Sequence, residues 1–226
     1  ADRDGEATVG DVVRIGLGLP SIGAPGGARV LGASATGRLG ELISGALGQR
    51  VDAVEHPDGF VGTLRPYQAR GVGWLAFLGR LGLGACLADD MGLGKTAQLS
   101  GTMLADRTDT PTLVVCPTSV IGNWERELDR FAPEFRVLTH HGTQRTRTPK
   151  AFAKQSGRHN VVLTSYGTLA RDAALVAGVD WGRLVLDEAQ QVKNPHTAQA
   201  KAVRQVRAGR RIAMTGTPVE NRLSEL

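Results

Sequence analysis

From about Gly62 onward, short apolar runs alternate with longer stretches whose apolar positions recur every three to four residues. The runs are "GACLAD", "TLVVCP", "FRVLTH", "NVVLTS", "GRLVLD" and "RRIAMT", all of strand length and rich in Val, Ile and Leu. The spacing in "PYQARGVGWLAFLGRLG" predicts a helix, with Pro66 near its start, where a missing N–H is tolerated. A second helix is expected from Lys95. In "TSVIGNWERELDRFAP" a third carries Ile121, Trp124, Leu128 and Phe131 on one stripe, ended by Pro133. More are expected near 167–177 and 196–207, with another around 149–155. Strands without polar alternation, separated by helices, belong to a parallel sheet covered on both faces. The fold class is therefore α/β.

Residues 1–60 have a different pattern. "LGLPSIGAPGGARVLG" is rich in Gly and Pro and has turn or linker character. After it, "TGRLGELISGALGQ" spaces Leu39, Leu42, Ile43 and Leu47 for one short helix. The expected division is an irregular N-terminal segment, 1–60, and a main domain, 61–226. A chain of 226 residues is long enough for one well-cored domain and an appendage. No apolar run approaches the roughly 20 residues of a membrane helix, so no membrane partner is expected. The start "ADRDGEATVG" has no initiator Met and no signal-peptide pattern, and both ends read as cut from something longer. Two cysteines, Cys86 and Cys116, sit in apolar runs and are expected as buried, reduced thiols, which points to the cytoplasm.

Charge sharpens the picture only locally. The formal net charge is +5 and the pI near 9.7, but residues 1–60 carry more acids than bases. The segment "FRVLTHHGTQRTRTPKAFAKQSGRHN", 135–160, holds six Lys/Arg and no Asp or Glu. It suits a polyanion, or is simply a solvated basic loop.

In open parallel sheets, ligands gather beyond the carboxyl ends of the strands. The residues directly after each run are therefore informative. After "ACLAD" come Asp90, Met91, Gly92, Leu93, Gly94, Lys95 and Thr96; after "LVVC" come Pro117, Thr118 and Ser119. "VVL" leads to Thr164, Ser165 and Tyr166, "LVL" to Asp187, Glu188, Ala189 and Gln190, and "IAM" to Thr215, Gly216, Thr217 and Pro218. In the first cluster the glycines let backbone N–H groups turn toward phosphate oxygens, helped by the positive end of the next helix. Lys95 would neutralise β- and γ-phosphates and the Thr96 hydroxyl would ligate Mg²⁺. The first glycine of the usual G-x-x-x-x-G-K-[ST] pattern is here Asp89. Asp187, leaving a buried strand, should face a cation, and Glu188 could orient and deprotonate an attacking water. The plainer role for these strand-end residues is helix capping, Ser119 being one candidate.

The ordered stretches "DDMGLGKT", "LVVCPTSVIGNWERE", "LDEAQQVKN" and "MTGTPVENRLSEL" resemble superfamily-two motors, specifically SWI/SNF-type ATP-dependent DNA translocases. The similarity runs from about Leu64 to Leu226. It implies a RecA-like lobe binding ATP and Mg²⁺, in which an aspartate at the head of the phosphate loop is common. The resemblance assigns adenine reading to Gln68, in "LRPYQARGVGWL". It also implies nucleic-acid backbone contacts at Pro117, Thr118, Ser119, Thr164, Ser165 and Tyr166. Coupling between nucleotide state and strand contact would run through Gln190, Thr215, Gly216 and Thr217. Gln190 departs from the His or Asp common in helicases. The implied partners are double-stranded DNA, an unspecified protein cargo and a second RecA-like lobe, whose arginine reaches the γ-phosphate. That lobe is expected beyond Leu226.

Overall fold

The structure is a computed structural model that describes residues 52–80 and 82–216. The chain divides into compact units at Ala1–Asp52 and Ala53–Leu226. The expected helix around Leu39–Leu47, together with Thr217 and Pro218, lies outside the described residues.

A six-stranded parallel sheet forms the centre of the second unit, in the order β1-β6-β5-β2-β4-β3. Its strands are β1 (Ala85–Leu87), β2 (Thr112–Cys116), β3 (Val137–Thr139), β4 (Val161–Ser165), β5 (Trp181–Leu186) and β6 (Ala208–Met214). All six expected runs became strands. Every residue of β2 and β4 is buried, as their unbroken apolar composition requires. Successive side chains point to opposite faces. Val114, Cys116, Val161 and Leu163 enter one core, while Leu113, Val115 and Val162 enter the other.

The helices divide accordingly. α1 (Pro66–Arg80), α2 (Lys95–Ala105) and α3 (Ile121–Phe131) supply Leu75, Leu99, Met103, Trp124 and Leu128 to the first core. α4 (Pro149–Ser156), α5 (Tyr166–Arg171), α6 (Ala173–Ala177) and α7 (Ala198–Gln205) supply Phe152, Leu169, Val176 and Val203 to the second. Of the α3 stripe, Ile121, Trp124 and Leu128 are buried. Phe131 is half-buried and stacks on Phe60 at a centroid distance of 5.5 Å. Phe60 and Val54 also pack against Leu64, Ala69 and Val72. Residues just before the expected boundary at 61 thus cover α1. The expected helix near 167–177 is broken at Asp172, the residue between α5 and α6.

One thiol departs from expectation. Cys116 is fully buried in β2, but Cys86 is exposed. Among the described residues β1 pairs only with β6, and an edge strand of three residues shields just one of them, Leu87.

At the amino end of the sheet a buried cation holds elements together. Arg183 of β5, its side chain 1% exposed, donates from Nη2 to the Asp106 carbonyl at 2.7 Å and lies 3.3 Å from Asp106 Oδ2. Arg210 of β6 also pairs with that carboxylate. Burial pulls the Arg183 guanidinium down to about 10, against the pull of Asp106. Asp106→Ala would strand this guanidinium, which costs about 3 kcal/mol. Urea unfolding checks this; a variant within about 0.5 kcal/mol of wild type, the usual range for a surface change, would contradict it.

Candidate nucleotide site

The strand order brings three loops side by side, because β1, β6 and β5 are consecutive in the sheet. The loop after β1 carries residues 88–94, β6 leads into Thr215 and Gly216, and β5 into Asp187 and Glu188. A Cβ on Gly216 would lie 3.8 Å from Lys95 Nζ and 2.9 Å from Met91 Cγ. The positive charge of Lys95 also acts on the Asp187 carboxyl. The phosphate-type loop and the acidic pair therefore lie on the same edge of the sheet, with the end of β6 between them.

Within the loop, Gly92 and Gly94 adopt positive φ, 82° and 74°. Gly94 is the residue from which α2 starts. The Lys95 ammonium donates to the carbonyls of Asp89 at 2.7 Å and Asp90 at 3.1 Å, so its charge lies within the loop's curve. Asp89, the residue in the unusual first position, accepts from Gln98 Nε2 at 2.7 Å. Gln98 is 1% exposed and lies against Gly71, where a Cβ would stand only 2.0 Å from its Oε1. This aspartate thus ties the start of the loop to α2. Thr96 is half-buried in the first turn of that helix, while Met91 and Leu93 are exposed.

Gln68 is buried and each end of its amide has one partner, which leaves one N–H and one lone pair over. Its Oε1 accepts from Arg65 N at 2.9 Å, and its Nε2 donates to the Leu93 carbonyl at 3.0 Å. Tyr67 Oη donates to the same carbonyl at 3.1 Å. The start of α1 is thereby bolted to the loop, a link invisible in the sequence.

Asp187 sits half-buried beyond β5, its N–H continuing the ladder to the Val115 carbonyl at 2.8 Å. Its Oδ2 accepts from Trp124 Nε1 at 2.8 Å and its Oδ1 from Glu188 N at 3.0 Å. Tyr166 Oη donates to its carbonyl at 2.7 Å. Burial pushes the carboxyl pKa up, and the Trp124 donor and Lys95 pull against that. Glu188 has φ 50°, and among the described residues it alone adopts a positive φ without being glycine. Gln190 joins two neighbours: its Nε2 donates to Glu188 Oε2 at 2.7 Å, and its Oε1 accepts from Thr215 Oγ1 at 2.9 Å.

The half-buried Asp187 carboxylate and the Thr96 hydroxyl are oxygen donors of the kind a hard cation takes. Among the described residues no group of three or more His, Cys, Asp and Glu could hold a metal. Mg²⁺ needs none, since it takes one or two carboxylates and completes its shell with water and phosphate. The residues present fit that ion.

The ends of β2 and β4 differ from each other. Thr118 and Ser119 lie exposed in a short 3-10 turn, Thr118–Val120, with Pro117 half-buried before it. Neither hydroxyl caps a helix there. By contrast Thr164, Ser165 and Tyr166 are all buried, at 0%, 2% and 3% exposure. Thr164 Oγ1 donates to the His140 carbonyl at 2.9 Å, and Ser165 Oγ caps α5 by accepting from Thr168 N at 3.2 Å. Capping thus falls to Ser165 rather than Ser119. The side chains of 164–166 serve the fold and present no exposed donor to a nucleic acid.

The basic segment also divides. Arg145 donates from Nε to Asp172 Oδ2 at 2.6 Å and is largely buried, so it is a structural ion pair. Arg147 and Lys150 are exposed. His140 donates from Nε2 to the same Asp172 carboxylate at 2.9 Å.

Burial holds the His140 pKa below its ordinary 6.5, although Asp172 opposes this. The unfolded chain therefore takes up a proton near 6.5 that the fold refuses until lower pH, so stability falls as pH drops below that value. Asp172, held below its ordinary 3.8 first by its hydrogen bond from Arg145, loses its contribution only in stronger acid. Unfolding midpoints at pH 7 and 5.5 should differ, and His140→Gln should shrink that difference; an unchanged slope would contradict this. The two glycines give a second contrast. A Cβ on Gly94 would meet Gln68 Nε2 at 2.5 Å, whereas on Gly92 it would meet nothing within 4 Å among the described residues. Gly92→Ala should cost about 1–2 kcal/mol, the left-handed penalty alone, and Gly94→Ala clearly more. Chemical denaturation of the pair is the check, and equal costs would refute it.

Comparison with known proteins agrees with this geometry. The SNF2-related domain family model matches residues 67–226. Over 173 residues the chain is 50% identical to YwqA of Bacillus subtilis (strain 168), a candidate ATP-dependent helicase/translocase, spanning 74% of this chain and 18% of that protein. It is 36% identical over 184 residues to the chromatin-remodeling ATPase INO80 of Homo sapiens, spanning 76% of this chain and 12% of that one. The chain therefore spans less than a fifth of the length of these relatives. The Sulfolobus solfataricus SWI2/SNF2 ATPase core in complex with dsDNA superposes with a TM-score of 0.68 and 41% identity, over 76% of this chain and 36% of that one. With the parallel sheet, the phosphate loop and the acidic pair arranged as described, the chain belongs to the SNF2-related domain family.

Proposed function

We propose that this chain is the first RecA-like, ATP-binding lobe of a motor that hydrolyses ATP to travel along double-stranded DNA and to displace or remodel bound protein. The observation that carries this reading is that the Lys95 loop after β1 and the Asp187–Glu188 pair after β5 open on one edge of the parallel sheet, with β6 between them: a Cβ on Gly216 would lie 3.8 Å from Lys95 Nζ, and Thr215 bonds Gln190. The double-stranded DNA in the Sulfolobus solfataricus complex supports the choice of partner.

In this reading the loop amides and Lys95 take the β- and γ-phosphates, and Gln68 reads the adenine. Thr96 and Asp187 would hold Mg²⁺, which when bound neutralises phosphate charge. Glu188, steadied by the Gln190 amide, accepts the proton of the attacking water. Gln190 then links that base to Thr215, so a shift of the loop after β6 is felt at Glu188. Thr118 and Ser119 are the exposed hydroxyls suited to phosphate backbone, a contact that positions a protein without reading bases. A second lobe would supply the remaining positive charge to the γ-phosphate, an effect worth about 10³–10⁵ in rate. A cytoplasmic protein with reduced thiols is consistent with the two unpaired cysteines.

The test uses the intact polypeptide. Glu188→Gln should lower DNA-stimulated ATP turnover by about 10²–10⁴, the usual contribution of a general base, with nucleotide affinity nearly unchanged. Turnover equal to wild type would overturn the enzymatic reading. Duplex DNA should stimulate turnover where duplex RNA does not, and ATP should drive displacement of a third strand from a DNA triplex. The opposite preference would redirect the assignment to an RNA-directed motor.

A further inference from the structure

Two buried tryptophans of this fold dispose of their ring N–H differently. Trp181 Nε1 donates to a backbone carbonyl, that of Val176, at 3.0 Å, an ordinary structural bond. Trp124, 1% exposed, gives its N–H to Asp187 Oδ2 at 2.8 Å. A buried indole needs some acceptor, yet here the acceptor is the one carboxylate suited to hold a cation. Oδ1 is engaged by Glu188 N at 3.0 Å, so both oxygens are oriented while each keeps a further lone pair. The carboxylate plane is thereby set before any ligand arrives.

The route by which Trp124 is placed matters as much. It lies on α3, which begins at Ile121 immediately after the exposed turn of Thr118–Val120. Tyr166, whose hydroxyl donates to the Asp187 carbonyl at 2.7 Å, is the first residue of α5, directly after the Ser165 end of β4. In the sheet, β2 stands between β5 and β4. Two helices that leave neighbouring strand ends therefore each send one side chain to the same residue beyond β5. One of those helices carries the solvent-facing hydroxyls at its head.

We propose that Trp124 is a positioning residue for the metal-holding carboxylate, and that α3 transmits contact at Thr118 and Ser119 to Asp187 through its indole N–H. Tyr166 is the corresponding hold on the Asp187 backbone. This rests on the reading of Asp187 and Thr96 as a Mg²⁺ site. A push on the turn moves the start of α3, α3 carries the indole, and the indole carries the carboxylate. No ligand-to-ligand contact is required.

The experiment compares Trp124→Phe with Trp181→Phe in the intact protein. Both variants delete an indole N–H and keep an aromatic ring in the core, but only one touches Asp187. Two quantities are read: the Mg²⁺ concentration at half-maximal binding of a fluorescent ATP analogue, and the fold-stimulation of turnover by duplex DNA. Trp124→Phe should raise the Mg²⁺ midpoint about ten-fold, the low end for loss of a partner behind a metal ligand. Its analogue affinity in EDTA should stay at the wild-type value, and its DNA stimulation should fall by more than half. Trp181→Phe should leave the Mg²⁺ midpoint unmoved. The inference is overturned if Trp124→Phe matches Trp181→Phe in both quantities. Should Trp124→Phe lose its cooperative melt, Tyr166→Phe is read in the same way, and a wild-type midpoint and stimulation there would sink the proposal. If the wild-type protein binds the analogue with no Mg²⁺ dependence, the metal assignment itself falls and this inference falls with it.

Discussion

A carboxylate half-withdrawn from water at the end of a buried strand must be answered by donors or by positive charge. Asp187 meets that requirement from several directions at once. Trp124 and the Glu188 amide bind its oxygens, Tyr166 holds its carbonyl, and the charge of Lys95, in the loop after β1, favours its ionised form. The arrangement is possible only because the sheet is parallel and ordered β1-β6-β5-β2-β4-β3. That order seats the acidic residue centrally, with the phosphate-type loop on one side and the exposed turn of Thr118–Ser119 on the other. In another strand order the same loops would still lie on this rim, but at other places along it, away from Asp187.

Much of this architecture can be read from residue order. Six apolar runs became six strands, and the spacing of Ile121, Trp124 and Leu128 correctly gives the buried face of α3. The glycines around Leu93 and the pair Asp187–Glu188 announce themselves because their chemistry is local in sequence. Bonds between residues far apart along the chain are not legible in this way. Trp124 reads as one more core aromatic, and nothing in its neighbourhood marks the carboxylate 63 positions away that accepts its hydrogen bond. Gln98 gives no sign that it anchors Asp89. Cys86 departs from expectation for a related reason: an apolar run reveals a strand but not whether that strand lies at an edge.

The cluster below the end of β4 shows how composition misleads about charge. Counting residues makes 135–160 uniformly basic, yet Arg145 is neutralised by Asp172, an acid outside that window. His140 shares the same carboxylate and packs against Phe152 at 4.5 Å. The positive surface of this segment is therefore smaller than its formula suggests, and rests on side chains such as Arg147 and Lys150. Likewise, hydroxyls at the end of β4 that could have gripped an external phosphate are spent inside, while those after β2 are not.

Glu188 carries a cost of a different kind. Its backbone sits at φ 50° and ψ 55°, a conformation that an L side chain enters at a penalty of roughly 1–2 kcal/mol. Glycine at that position would relax the penalty, so the fold on its own would favour a residue unable to accept a proton. A selection for thermal robustness alone would thus erode the position to which the proposed function assigns the base. Proteins stabilised by laboratory evolution without an activity screen should be inspected there first.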